Sequence, residues 1–587
     1  MCSTEEWAVS LKFTDVFGIL TVRLLCFPLT NLGGTMKLCL RSFGILFLWS
    51  TVMAQTQPAD LVLRNGVVWT ADPANPKAEG VVVRADRIAF VGTTEQVSAF
   101  IGPTTKVIDL KGRLLLPGFI DNHTHFMSGG FQLQSVDLRF AASESEFARL
   151  ISERAERAPG EWITGGDWDH DNWPGGNLPT KELIDQATPN TPVFVSRYDG
   201  HMALANSHVL KLAGINKQTP DPPGGAIVRD ATTGEPTGVL KDEAMSLVYP
   251  HIPDWTEEQM LTAARLALTE ARRFGVTSIQ DVSSAQDVRV YQELRRRGEL
   301  TARFHCRLPL WQWEDLRKVG VQVPFGDEWI RIGSLKAFVD GSLGSSTALF
   351  YEPYVSDTTT TGLPMDIVTD GRLERWALEA DRAHLQLSIH AIGDKANSLL
   401  LDLFEKITRE NPPWDRRFRI EHAQHIHPKD FERFARLGVI ASVQPYHAID
   451  DGRWAEGRIG AERCETTYPF RTFLDKGVSM SFGSDWTVGP LDPLAGIYAA
   501  VTRRTTDGRN PDGWVPAQKI SVEEAIRAYT IQGAYGVFEE NEKGSITPGK
   551  LADLVVLSRD ILTGDPRQIE TTEVLMTVVG GTLVYAK

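Results

Sequence analysis

Two rhythms of apolar and polar positions divide this chain. Between about residues 60 and 115, short β-type runs (LVLRNGVVWTAD, GVVVRADRIAFVG, KVIDLKGRLLLPG) are punctuated by Gly, Asn and Asp, the texture of a small antiparallel β-domain. The texture returns over SITPGKLADLVVLSRD and VLMTVVGGTLVYAK, so residues 58–115 and 545–587 are expected to build one composite β-sandwich from both termini. From about residue 260 the period changes. Helical stretches such as TEEQMLTAARLALTEARRFG and DGRLERWALEADRAH alternate with brief apolar strands: GVTSIQDV, ARFHCRLPL, IRIGSLKAFVDGS, LQLSIHAIGD, FRIEHAQH, GVIASVQP and VSMSFGSDW. That is the β-then-α alternation of a parallel α/β sheet. With RLLLPGFIDNHTH near residue 115 the strands number eight, which predicts a (β/α)8 TIM barrel over 116–130 and 256–544. An open two-layer α/β sheet is the alternative.

Spacing favours the barrel. A barrel of about 250 residues allots roughly 31 to each βα unit; the steps from Thr277 to His305, His305 to Lys336 and His390 to His422 are 28, 31 and 32 residues, and those from Lys336 to His390, His422 to Val443 and Val443 to Asp485 are 54, 21 and 42. The step from His125 to Thr277 is 152 residues. An inserted domain accounts for the surplus, and residues 131–255 carry their own strands (EWITGGDWD, PVFVSRYDGH, GAIVRDATTGEPTGVLKD), expected to form a small α+β module over the barrel mouth.

At the N-terminus, Met36 opens a basic stretch with Lys37 and Arg41, followed by an apolar run from about Phe43 to Met53 and the small-residue site Val52-Met53-Ala54. This has the layout of a secretory signal peptide, too short to span a bilayer. Residues 1–54 are therefore expected to be a signal peptide preceded by a start-site extension (1–35), giving a periplasmic or secreted protein without a membrane span in its mature form. An uncleaved anchor helix is the alternative. Lys+Arg 61 against Asp+Glu 75 gives −14, which excludes a protein committed to nucleic acid. The five Cys form no CxxC pair, so no disulfide framework or Cys-based zinc finger follows.

Candidate chemistry gathers at the strand ends. In LPGFIDNHTHF, His123 and His125 stand two apart at the end of an apolar strand, so both imidazoles face one side. Lys336, His390, His422 and Asp485 end later strands. A barrel builds its active site at the C-terminal ends of its strands and collects these groups in one bowl. Imidazole and carboxylate are ligands for zinc or a similar divalent cation. A Lys ammonium has no lone pair for a cation, so Lys336 is intelligible as a ligand only when neutral or converted by CO2 to a carbamate. A buried Lys336–Asp340 pair is the alternative. Asp485, as ligand and neighbour of an activated water, is the candidate general base. Its alternative is a structural ligand or an N-cap of the following helix. Glu421 points away from His422 if the strand stays regular, and reads as structural. His425 and His427 read as loop or helix-capping residues, and His170, with Trp162, Trp168 and Trp173, as core of the insertion. No GKS/T follows the Gly341–Ser345 loop and no GxSxG elbow occurs, which disfavours phosphate binding and a serine hydrolase.

This pattern resembles the amidohydrolase superfamily of binuclear metal hydrolases. The segments LKAFVDGSLGSSTA, HAIGDKAN, IEHAQHI and DGHMALANS are similar to its YtcJ-like branch (amidohydrolase family 3), which includes N-substituted formamide deformylases. The resemblance covers residues 58 to 587. It implies that His123, His125 and Asp485 hold one metal, that His390 and His422 hold a second, and that a carboxylated Lys336 bridges two divalent ions, zinc by ligand type. It also brings His201 towards substrate, and Asp394 is carried as a second substrate-contact candidate. The expected activity is metal-dependent hydrolysis of a non-peptide C–N bond (amide, N-formyl or cyclic amide). Ester or lactone hydrolysis, deamination, and a non-catalytic metal-binding protein are the alternatives. The expected partner is a small-molecule substrate, and a homodimer is carried as a candidate assembly.

Overall fold

One βα unit shows how the sequence writes the fold. Thr256 caps the helix Glu257–Arg273 in a reciprocal box with Gln259, and Met260, Leu261, Ala264, Ala267, Leu268 and Ala271 form its buried stripe. Gly275, at φ +75, ends the helix and turns the chain into the strand Val276–Val282. In the computed structural model, which describes residues 57–157 and 159–587 together with 10–15 and 18–23, this alternation recurs around a ring.

The ring consists of β1 (Phe119–Thr124), β2 (Val276–Val282), β3 (Arg303–Pro309), β4 (Ile330–Phe338), β5 (Gln386–Ala391), β6 (Arg419–His422), β7 (Ile440–Val443) and β8 (Met480–Phe482), each paired in parallel with the next. A parallel bridge between Thr124 and Trp486 closes it, reinforced by the Asp485 amide donating to the His123 carbonyl at 2.7 Å. The closed barrel is therefore the fold, and the open sheet is not. Alternate residues divide the labour. Leu387 and Ile389 of β5 join Leu400 and Phe404 of the helix Asp394–Glu410 in the main apolar cluster, while Ser388 hydrogen-bonds across the interior to Glu421.

Segments 61–117 and 554–586 meet in a sandwich. One sheet joins Val67–Trp69, Lys77–Ala78 and Leu114–Pro117 to Leu554–Leu557, Val574–Val579 and Thr582–Ala586, and the other holds Leu61–Arg64, Gly80–Arg84, Arg87–Gly92 and Lys106–Asp109. Leu61, Leu63, Val83, Leu115, Leu554, Val556 and Val578 fill the space between them. Contrary to the expected antiparallel texture, Leu61–Arg64 pairs with Lys106–Asp109, and Val67–Trp69 with Leu114–Pro117, in parallel. A hairpin and a helix intervene between the partners, giving the chain the crossover length that parallel pairing requires.

The insertion forms a five-stranded sheet ordered Ile163–Trp168, Val193–Arg197, Met202–Ala205, Pro236–Asp242, Gly225–Arg229. Helix Glu144–Arg157 lays Phe147 and Ile151 on it against Trp168 and Ile163. The strand Met202–Ala205 was not legible from periodicity, because Gly200 at φ +72 breaks the run that leads into it. At the N-terminus, Ser10–Asp15 pairs antiparallel with Gly18–Arg23, and the segment from Met36 to Ala54, expected from the sequence to be a signal peptide, lies outside the described residues. Among those residues no helix is long and apolar enough to cross a membrane.

Candidate metal centre

Barrel closure brings the first and last strands side by side and creates the centre. His123, fully buried, donates Nδ1–H to Glu421 Oε2 and turns Nε2 towards Lys336 Nζ at 3.2 Å and Asp485 Oδ1 at 3.5 Å. Since a carboxylate can only accept, this hydrogen bond fixes the tautomer and leaves the Nε2 lone pair facing the bowl. His125, with about a third of its side chain exposed, brings Nε2 to 3.3 Å from the same Asp485 oxygen. Asp485 sits in the left-handed region at φ +53, a turn that swings its carboxylate back over β1. His390 donates Nε2–H to the Gly341 carbonyl at 3.1 Å. Its ring centroid lies 4.5 Å from that of His422, which in turn lies 4.9 Å from that of His123. Lys336 completes the cluster from β4. All six candidate ligands are brought together.

The electrostatics match a cation-binding bowl. Burial, helped by the Lys336 and Arg307 charges, pushes His123 well below the ordinary imidazole range; burial does the same to His390 and His422. Burial opposes ionisation of Asp485, but the imidazoles around it win and hold its carboxyl well below the usual range. Burial and the Arg307 guanidinium bring Lys336 down to about 7. The expected alternative partner, Asp340, is instead occupied by the backbone amides of Leu349, Ile392 and Gly393. Three imidazoles held neutral by burial, the His125 ring beside them, an ionised carboxylate whose Oδ1 receives no hydrogen bond, and a deprotonatable amine fit a divalent cation.

Glu421 departs from its expected direction. His422 and Ala423 take φ +72 and +40, breaking the alternation, so Glu421 also faces the interior. There it accepts from His123, from Arg307 Nη1 (2.8 Å), Arg419 Nε (3.0 Å) and Ser442 Oγ (2.7 Å), and so orients a ligand. Two residues the motifs missed stand after β7. Gln444 Oε1 lies 2.8 Å from His422 Nδ1, and His447 is buried beside His422 and Asp485. Polar residues at a strand's C-terminal end were the available signal.

A cavity of about 710 Å3 opens over the bowl, with Trp162, His201 and Tyr249 of the insertion on one side and Trp454 on another. His201 lines it, with Nδ1 2.7 Å from Asp242 Oδ1 and its ring 5.3 Å from that of His390. Burial works against its proton, but the Asp242 hydrogen bond and nearby carboxylates raise its pKa. Asp394 is not brought to the cavity. It starts the helix Asp394–Glu410, and its Oδ1 accepts the Tyr351 amide at 3.0 Å. His427 caps a 3-10 turn through the Lys429 amide, and His425 is buried 2.8 Å from Thr467 Oγ1. His170, Trp168 and Trp173 are buried in the insertion, whereas Trp162 lines the cavity.

Residues 106–585 match the model of a family described as Amidohydrolase family. The chain is 38% identical over 561 residues to Protein LONG AFTER FAR-RED 3 of Arabidopsis thaliana, covering 92% of this chain and 94% of that protein. It is 33% identical over 538 residues to the putative amidohydrolase YtcJ of Bacillus subtilis (90% and 99%). It is 29% identical over 547 residues to an N-substituted formamide deformylase of Arthrobacter pascens (91% and 99%). Among solved structures, an uncharacterized metal-dependent hydrolase from Pyrococcus horikoshii superposes with a TM-score of 0.70 at 29% identity, covering 86% of this chain and 99% of that one.

Proposed function

The chain belongs to the amidohydrolase family, and on that premise we propose that it hydrolyses a carbon–nitrogen bond outside the peptide backbone, in an amide, N-formyl amine or cyclic amide. The observation that carries the reading is the Asp485 carboxylate set between His123 and His125, with Lys336 beside them, at the floor of the cavity. The similarity to an N-substituted formamide deformylase supports a C–N bond over an ester.

His123, His125 and Asp485 would hold one cation, and His390 and His422 the second. Two divalent ions bound there would supply polarisation of the scissile carbonyl and would lower the pKa of water from ~15.7 towards ~7. The remaining work belongs to the chain. Asp485 Oδ2 accepts the proton of the attacking water and returns it to the departing nitrogen. Glu421 holds His123 in the ligating tautomer. At about 7, Lys336 is partly neutral near pH 7, and the neutral amine is the form that adds to CO2. Its nitrogen bonds the CO2 carbon and releases a proton, giving an anionic carbamate that would serve as a further oxygen ligand. The aromatic wall of Trp162, Tyr249 and Trp454 shields the scissile bond from bulk water, while His201, kept protonatable by Asp242, offers a donor to substrate.

Metal content by plasma mass spectrometry, scored beside hydrolysis of a panel of N-acyl amines, N-formyl amines, cyclic amides and esters, tests this. About two zinc ions per chain are expected, lost together with hydrolysis in His123→Ala and Lys336→Ala. Protein depleted of CO2 should regain activity with bicarbonate. Metal-free wild-type protein would sink the reading, and a preference for esters would replace it with the esterase alternative. Export after cleavage at Ala54 is part of the same proposal, supported by the residues from Met36 to Ala54. Secreted protein whose N-terminus lies upstream of Met36 would refute it.

A further inference from the structure

We propose that His447 is a further ligand of the metal centre, binding the second cation beside His422; this rests on the metal-dependent reading above. The ligand set implied by family resemblance omits it, and the local geometry does not. One ligating atom from each of His422, His447 and Asp485 lies within 4.8 Å of the other two. His447 is only 7% exposed, lines the cavity, and its Nε2 is buried without a hydrogen-bond partner. A buried imidazole nitrogen without a protein donor or acceptor is what a cation's ligand looks like when the protein atoms alone are considered.

The local sequence explains the placement. Strand β7 ends at Val443, Gln444 caps the helix Pro445–Asp451, and Pro445 at the first helical position starts it cleanly. Residues three apart on a helical turn share a face. Gln444 reaches His422 Nδ1 at 2.8 Å, and His447, one turn on, faces the same ring and Asp485. The acids of this helix are engaged elsewhere. Asp450 pairs with Arg139 at 2.6 Å and Arg453 at 2.8 Å, and Asp451 accepts from Gln424 at 3.0 Å and from Tyr468. His447 is left to face the bowl. The segment after β7, which otherwise contributes no ligand to the centre, thereby supplies one, and the second cation would gain an imidazole beside His422.

The test uses the full chain, stripped with a chelator and titrated with zinc chloride alone, comparing wild type with His447→Gln. Loss of a direct ligand should weaken one zinc site at least as much as loss of an orienting partner does, roughly 10- to 100-fold, or remove one zinc from the stoichiometry. A second variant, His447→Cys, loaded with cobalt(II), should gain a thiolate-to-cobalt charge-transfer band absent from the wild type, a signal that only coordination at this position produces. Thermal unfolding of the stripped variants separates lost ligation from lost fold. If His447→Gln binds zinc as the wild type does and His447→Cys shows no such band, the inference is overturned while the metal centre stands. If the wild type binds no zinc, the metal-dependent reading falls, and this inference falls with it.

Discussion

Two interiors of this molecule are filled by opposite chemistry. Between the sheets of the terminal sandwich, Leu61, Leu63, Val83, Leu115, Leu554, Val556 and Val578 form one apolar cluster. Inside the barrel, beneath the histidines, the space is held by Gln280, Arg307, Ser388, Arg419, Glu421 and Ser442, all buried and tied together by hydrogen bonds. The apolar interior contributes stability, roughly 1.5–3 kcal/mol for each large side chain fully buried. The polar interior gains little net stability, because desolvating two guanidinium groups and a carboxylate costs about what their pairing returns. What it supplies is geometry, since Glu421 can turn His123 only while Arg307 and Arg419 hold it in place.

The comparison can be broken from either side. The largest effect is expected at the point the polar interior serves. Asp485→Asn should reduce kcat/KM for whichever amide is turned over by roughly 100- to 10,000-fold, with little change in the melting temperature of chelator-treated protein, as steady-state kinetics and calorimetry would show. Next, Glu421→Gln leaves two buried guanidinium groups without their carboxylate and should cost about 3–5 kcal/mol in denaturant unfolding, with weakened zinc uptake. Glu421 also has a pH signature. Burial opposes its ionisation, but Arg419, Arg307 and His123 hold its carboxyl well below the ordinary range, so its contribution is present above about 4.5 and lost as the pH falls further. The acid limb of the wild-type stability profile should therefore be steeper than that of Glu421→Gln. Leu554→Ala in the sandwich should cost about 2–5 kcal/mol and leave zinc stoichiometry at the wild-type value, and a parallel loss of metal would show that the two interiors are coupled. The smallest effect is expected for Asp394→Asn, within roughly 0.5 kcal/mol and with unchanged kinetics, because this carboxylate serves the Tyr351 amide rather than substrate.

The same contrast explains what the sequence disclosed. All eight barrel strands were legible because one side of each packs on helices and reads as apolar, as Leu387 and Ile389 do. Their inward sides were legible only at the ends, where His, Lys and Asp are conspicuous. Ser388, Gln280 and Arg419 carry no motif, and their role depends on partners from other strands far away in sequence. Glu421 was misdirected because alternation was assumed to continue through His422, whereas a left-handed residue there resets it. His447 was passed over since one histidine after a strand has no spacing to recommend it. Asp394 was drawn in by its neighbourhood to His390, yet a helix N-terminus four residues on from a ligand turns away from the bowl.

The sandwich also sets a schedule for synthesis. Leu114–Pro117 is made early, yet its antiparallel partner Leu554–Leu557 is more than 400 residues further on. At roughly 5–20 residues per second, a ribosome needs on the order of 20–90 s to deliver it. Throughout that interval the nascent chain carries a sheet with an open hydrogen-bonding edge, while the whole barrel is being threaded between its halves. Shielding that edge is a task for whatever accompanies the chain as it emerges, and a lesion in the last forty residues is felt first at the beginning of the fold.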